Sequence, residues 1–186
     1  MQRGPIWLVG MMGAGKSAVG ALLAKALGRP FVDTDLEIER EAGSSVAEIF
    51  SSEGERGFRA RERAAIEALC ARDAVVALGG GAIAEPEIAE RLARAGIVVY
   101  LRATPHTLLA RVGDAETRPL LANLAPTARL AKLEALLALR APAYESAAIA
   151  VATDGRAPEA VAAEIRRRLE SVERADGSAR EEPARA

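Results

Sequence analysis

Gly10-Met11-Met12-Gly13-Ala14-Gly15-Lys16-Ser17 has the spacing G-x-x-x-x-G-K-[ST]. It lies between an apolar run, Ile6 to Val9, and a segment of helical period that opens at Lys16. A strand entering a helix through such a turn is the start of a parallel βα unit, which constrains the fold more than any other feature of the chain. The glycines permit the tight turn and let backbone N–H groups face phosphate oxygens. The helix N-terminus adds roughly half a positive charge. In this setting Lys16 reaches β and γ phosphates and the Ser17 hydroxyl sits on Mg²⁺. The motif therefore points to a Mg²⁺-nucleotide site, with Gly13, Ala14, Gly15, Lys16, Ser17 and Ala18 as its binding residues.

The rest of the chain repeats the alternation of strand-length apolar runs with helical segments, which is the pattern of an α/β fold with a parallel sheet. The first helix should bury Val19, Leu22, Leu23, Ala26 and Leu27 and stop at Gly28. Further strands are expected at Phe31-Val32, Ala74 to Leu78, Ile97 to Leu101 and Ile149 to Val151. Ser45-Val46-Ala47-Glu48 reads as a capping box, and Glu55 to Ala71 as a longer helix. Pro86 and Pro105 suit first helical turns, the latter behind a Thr104 cap. From Gly113 to Pro126 the pattern lapses. A Leu-rich helix to about Arg140 follows, then one from Pro158 to about Val172. Residues 1–174 form one expected domain, and the charged, aperiodic stretch 175–186 is expected to be a disordered tail.

Composition narrows the chemistry. The chain has 186 residues, one His and one Cys, so neither an internal disulfide nor a Cys-based zinc site is available. With 25 Lys plus Arg against 26 Asp plus Glu, the balance is wrong for a bulk nucleic-acid binder. No apolar run approaches the ~20 residues of a membrane span. Only three of the 25 cationic side chains are Lys. Arg offers a planar fork for carboxylate and phosphate, though a compositional habit of the source genome explains that bias equally well.

Other residues invite chemical readings beside ordinary ones. Asp33 and Asp35 follow the second strand; they could cap a helix, or approach a metal shell and deprotonate an attacking hydroxyl. Arg59 and Glu62 share a helical face, where an exposed ion pair is the usual explanation. Gly79-Gly80-Gly81 follows a strand, and the carboxyl ends of parallel strands are where α/β sheets hold ligands. Close backbone approach to a small ligand is preferred there over a simple turn. Arg118 lies in the irregular stretch, as a closing lid over phosphates would require, or as a solvated loop residue. Arg140 ends its expected helix, where a cation facing the helix dipole is the bland alternative.

Taken in order, the nucleotide loop, Asp33-Thr34-Asp35, the segment from Gly54 to Glu62 with Phe58-Arg59, Gly79-Gly80-Gly81, Arg118-Pro119-Leu120-Leu121 and Arg140-Ala141-Pro142-Ala143-Tyr144 resemble shikimate kinase over roughly residues 4 to 172. The nucleotide loop is common to many families; the other elements in this sequence are far more specific. The resemblance implies a P-loop, nucleoside-monophosphate-kinase-like fold: a five-stranded parallel sheet flanked by helices, a substrate-binding region near 33–62 and a mobile lid near 113–125. It implies transfer of the ATP γ-phosphate to the 3-hydroxyl of shikimate, on the route to chorismate and the aromatic amino acids.

Under that resemblance Asp35 is the base and binds substrate hydroxyls, with Lys16 and Arg118 also catalytic. Asp33 helps hold Mg²⁺ through water, alongside Ser17. Arg59 and Arg140 grip the shikimate carboxylate, Glu62 holds Arg59, and Gly79, Gly80 and Gly81 meet hydroxyls. Arg111 and Arg156 match positions near the adenine, and Arg118 closes onto phosphate. A monomeric cytoplasmic enzyme is expected, with shikimate and ATP as partners and neither nucleic acid nor membrane. Ala18 stands where the family often has Thr, leaving the Ser17 hydroxyl intact. The rivals are a related gluconate or nucleoside-monophosphate kinase and a non-catalytic nucleotide-binding module.

Overall fold

Four consecutive apolar residues make β1 (Ile6–Val9) a strand buried along its whole length, as a central strand covered on both faces must be. The computed structural model describes residues 4–112, 120–121 and 124–180. β1 is flanked by β3 (Val75–Ala77) on one side and β4 (Ile97–Arg102) on the other. β2 (Phe31–Asp33) adds beyond β3 and β5 (Ile149–Ala152) beyond β4. The described residues thus form a five-stranded sheet of order β2-β3-β1-β4-β5, parallel throughout. The expected α/β architecture is borne out.

Helix α1 (Lys16–Leu27) ends at Gly28 as expected, but its buried stripe is Val19, Gly20, Leu23 and Ala24. Leu22 and Leu27 are only half-buried and Ala26 is exposed. The stripe is rotated because Phe31 packs where any Gly20 side chain would stand. Helix α2 (Thr34–Ala42) leads into α3 (Val46–Leu69), which kinks at Gly54, where φ is 70°. The expected capping box is formed, with Ser45 and Glu48 satisfying each other's backbone N–H. Together α2 and α3 carry a satellite core of Ile38, Ile49, Phe58 and Ala65, separate from the main core around the sheet. That small core packs α2 and α3 against each other as a unit.

Pro86 opens α4 (Pro86–Ala95) and Pro105 opens α5 (Pro105–Val112), and Thr104 Oγ1 accepts the Thr107 N–H at 3.3 Å. Two helices outrun their expected ends. α6 (Pro126–Glu145) passes through Pro142. The carbonyl that loses its partner there, on Ala138, lies with Pro142 on the exposed face, open to solvent rather than in the core. α7 (Pro158–Arg180) extends beyond Val172 and through the first half of the expected tail. Adding residues to an existing helix is cheap, and Gly177 alone does not stop it. Residues 181–186, and most of the expected lid, lie outside the described residues. Among the described residues no helix is long and apolar enough to cross a membrane.

Candidate active site

The carboxyl ends of β1, β2 and β3 deliver the nucleotide loop, Asp33 and Gly79 to one edge of the sheet. They open on a cleft of about 680 Å³ lined by residues from Met12 to Ser17 together with Asp33, Asp35, Arg59, Glu62, Gly79, Gly80, Gly81 and Arg140. Both halves of the expected chemistry therefore share one cavity, placed where parallel sheets bind ligands.

On the nucleotide side, Gly13 and Gly15 have φ of 79° and 94°, so the loop uses its glycines as expected. Lys16 Nζ lies across the loop, donating to the carbonyls of Gly10 and Met11 at 2.8 and 3.0 Å. Ser17 Oγ donates to Asp33 Oδ2 at 2.6 Å, while Asp33 Oδ1 accepts the Asp35 N–H at 3.1 Å. Asp33 thus caps α2, as the ordinary reading has it, and its other carboxylate oxygen meets Ser17. Ser17 and Asp33 supply hard oxygen donors beside the phosphate loop. Elsewhere among the described residues no cluster of three or more His, Cys, Asp or Glu gathers for a metal. Two such donors suit Mg²⁺, which keeps waters and phosphate oxygens in its shell rather than taking an all-protein cage.

On the acceptor side, Arg59 donates to Glu62 Oε2 at 2.6 Å and to Glu55 Oε1 at 3.2 Å. This is not the exposed helical pair of the ordinary reading, because Glu62 is 2% exposed. Burial pushes the Glu62 carboxyl above its ordinary range against the pull of Arg59, and the nearby Asp35 charge pushes the same way. For Arg59, burial works against the charge, but Glu62 and Glu55 outweigh it and the guanidinium is raised.

Two of the three glycines are also crowded by the chain itself, whereas a methyl group on Gly80 would meet only ordinary contacts. A methyl group on Gly79 would collide with Glu62 Oε1 and one on Gly81 with the Arg59 guanidinium. The chain's own charged groups press against this loop.

Arg140 is 7% exposed and donates to the Gly80 carbonyl at 3.1 Å, with Met11 Sδ at 3.7 Å. Since α6 continues to Glu145, Arg140 does not terminate a helix and the dipole reading is withdrawn. The extra turn places Tyr144 one helical turn on, over the same carbonyl. Its hydroxyl donates to Gly80 O at 2.5 Å, and its ring stacks on Tyr100 at 5.0 Å. Burial pushes the Tyr144 phenol up to about 12, despite the opposing Arg140 charge.

At the far end of the cleft Arg111 donates to Thr153 Oγ1 and to the Thr153 carbonyl at 3.0 and 2.6 Å. Arg156 donates to the Ala152 carbonyl at 2.9 Å and pairs with Glu164 at 2.7 Å. Both arginines line the cavity. Arg118 lies outside the described residues. Sequence reasoning gave no role to Thr34, Met11 or Tyr144. The four-residue spacing of Tyr144 from Arg140 was the available signal.

Two expected results follow from this geometry. Tyr144→Phe should lower unfolding stability by about 0.5–1.5 kcal/mol, because Gly80 O keeps Arg140 as a donor; urea denaturation reads it. For Glu62, the folded-state value lies above the unfolded one. Its contribution to stability is therefore fully present below the unfolded value and lost as pH rises through the folded one. Glu62→Gln lacks this dependence. The urea midpoint of the wild type relative to that variant should fall as pH rises above the ordinary glutamate range. A constant difference would refute the raised value.

A sequence model of the shikimate kinase family matches residues 12–170. The shikimate kinase of Symbiobacterium thermophilum is 48% identical over 169 residues, covering 89% of this chain and 95% of the relative. That of Pseudomonas syringae pv. syringae is 48% identical, covering 87% and 94%. A solved shikimate kinase from Acinetobacter baumannii, in complex with shikimate, superposes with a TM-score of 0.86 at 42% identity, over 91% of this chain and 94% of that one. A gluconokinase from Sinorhizobium meliloti, at 21% identity, 88% and 89% coverage and a TM-score of 0.56, shares the fold alone. With the two-arginine, triple-glycine cleft and these relatives together, the chain belongs to the shikimate kinase family.

Proposed function

We infer that this ATP-dependent kinase moves the γ-phosphate of ATP to the 3-hydroxyl of shikimate, giving shikimate 3-phosphate and ADP for chorismate and aromatic amino-acid synthesis. The observation that carries this reading is the convergence of Arg59, Arg140 and Asp35 on Gly79–Gly81, in the cavity that also holds the nucleotide loop. Forked guanidinium donors suit the acceptor's carboxylate, and Asp35 with the glycine backbone suits its hydroxyls.

Asp35 accepts the proton of the 3-hydroxyl as that oxygen attacks phosphorus and the bond to the β-phosphate oxygen breaks. Positioning and charge neutralisation supply most of the catalysis in such transfers. Lys16 neutralises the phosphates, Gly13 to Ala18 cradle them, and Arg118 completes the charge when the lid closes. Ser17 directly and Asp33 through water would hold Mg²⁺, which when bound offsets charge on the β and γ oxygens. Glu62 keeps Arg59 aimed at the acceptor. Arg111 and Arg156 flank the adenine. The enzyme works as a cytoplasmic monomer, with neither nucleic acid nor membrane as a partner.

Coupled ADP release, measured with shikimate, gluconate and nucleoside monophosphates, tests the reading. Turnover is expected with shikimate alone. ATP binding with no shikimate turnover would overturn it.

A further inference from the structure

We propose that the buried hydroxyl of Thr34 is a positioning group for phosphoryl transfer, acting through Asp33, Asp35 and the Gly79 loop; this rests on reading that Asp pair as catalytic. Thr34, which stands between the two aspartates in the chain, is completely buried and is not among the residues that line the cleft. The paired register of β2 and β3 ends at Asp33 opposite Ala77. One further step of a parallel ladder would require residue 34 to give an N–H to the Ala77 carbonyl and a C=O to the Gly79 N–H. Thr34, however, is already the first residue of α2, and its peptide has left the sheet.

The side chain fills both vacated roles. Thr34 Oγ1 donates to Ala77 O at 3.2 Å and accepts from Gly79 N at 3.1 Å. One oxygen atom thus stands in for a peptide group's donor and acceptor together. The chain can turn out of the sheet a residue early without leaving buried backbone groups on β3 unmet.

That early turn is what the site uses. It sets Asp33 against Ser17 at 2.6 Å and lets its other oxygen cap the helix. It also places Asp35 Oδ1 about 3.0 Å from where a Gly79 side chain would begin. The hydroxyl therefore fixes the separation between the base and the glycine loop that receives the acceptor. Displacements near 1 Å in such an arrangement cost about 100-fold in rate. A hydroxyl serves here, whereas an apolar side chain of equal volume would hold neither strand-end group.

Thr34→Val, Thr34→Ser and Thr34→Ala in the full chain test this, with steady-state kinetics normalised to the fraction that binds ADP. Val and Ala should lose about 10- to 100-fold in kcat while KM for ATP stays near the parent's. Ser, which keeps the hydroxyl and loses only the methyl, should stay close to the parent in kcat. If the Val variant does not fold, the Ser and Ala pair isolates the hydroxyl unaided. Equal losses in Ser and Ala, kcat of Ala matching that of Ser, or KM for ATP rising in step with the loss would each overturn the proposal. Absence of shikimate turnover in the unsubstituted chain would sink the functional reading instead, and this proposal with it.

Discussion

Asp35→Asn lowers kcat with shikimate by about two to four orders of magnitude, the range of a lost general base, and leaves ATP affinity nearly unchanged. The substitution preserves shape, and the cap of α2 survives because it uses the Asp35 backbone N–H and the Asp33 side chain. Ser17 keeps Asp33, and Lys16 keeps its loop carbonyls. What disappears is the carboxylate beside Gly79 that the proposed mechanism uses to take the acceptor's proton. Asp33 is engaged by Ser17 and the helix, and Glu62 is engaged by Arg59. Steady-state kinetics with equilibrium binding of ATP would separate the effects. A kcat close to the parent's would remove Asp35 from the base role.

Some residues of this site obey rules that are local in sequence, and others meet only through the fold. The βα unit at Gly10–Ser17 was legible because strand, glycines and helix are adjacent in sequence and each obeys a local rule. The capping box at Ser45 and the prolines at the starts of α4 and α5 were legible for the same reason. The extent of α6 was not, because Pro142 reads as a stop. Only the tertiary arrangement shows that its face is exposed and that Arg140 and Tyr144 are needed over Gly80. The stripe of α1 shifted for a similar reason, since the position of Phe31 is set by the sheet.

Within the site, motif order pointed to the Arg59–Glu62 pair and to the glycines, but not to the contact between that pair and the glycine loop. Gly79 meets Glu62 across seventeen positions of chain, and no local pattern encodes that distance. Thr34 was hidden most completely. A threonine between two aspartates has no periodicity to reveal that its hydroxyl bridges to residues 43 and 45 positions away.

Arg140→Ala should weaken shikimate binding by about 1.5–3 kcal/mol, the value of a charged hydrogen-bonding partner, and its effect should exceed that of Arg59→Ala. The difference follows from what each guanidinium already holds. Arg59 is paired with Glu62 and Glu55, so much of its charge is spent within the protein. Arg140 has no ion-pair partner among the described residues; its hydrogen bonds go to a carbonyl and a thioether. A buried cation in that condition is costly unless an anion completes it, and under the proposed function that anion is the acceptor's carboxylate. Loss of the side chain leaves the glycine loop held, because Tyr144 still donates to Gly80 O. The change should therefore fall on KM for shikimate more than on kcat or on ATP. Arg140→Lys should recover part of the affinity, since a point charge replaces the fork. Titration of shikimate into each variant with ADP present reads the result, and an affinity equal to the parent's would move the carboxylate away from Arg140.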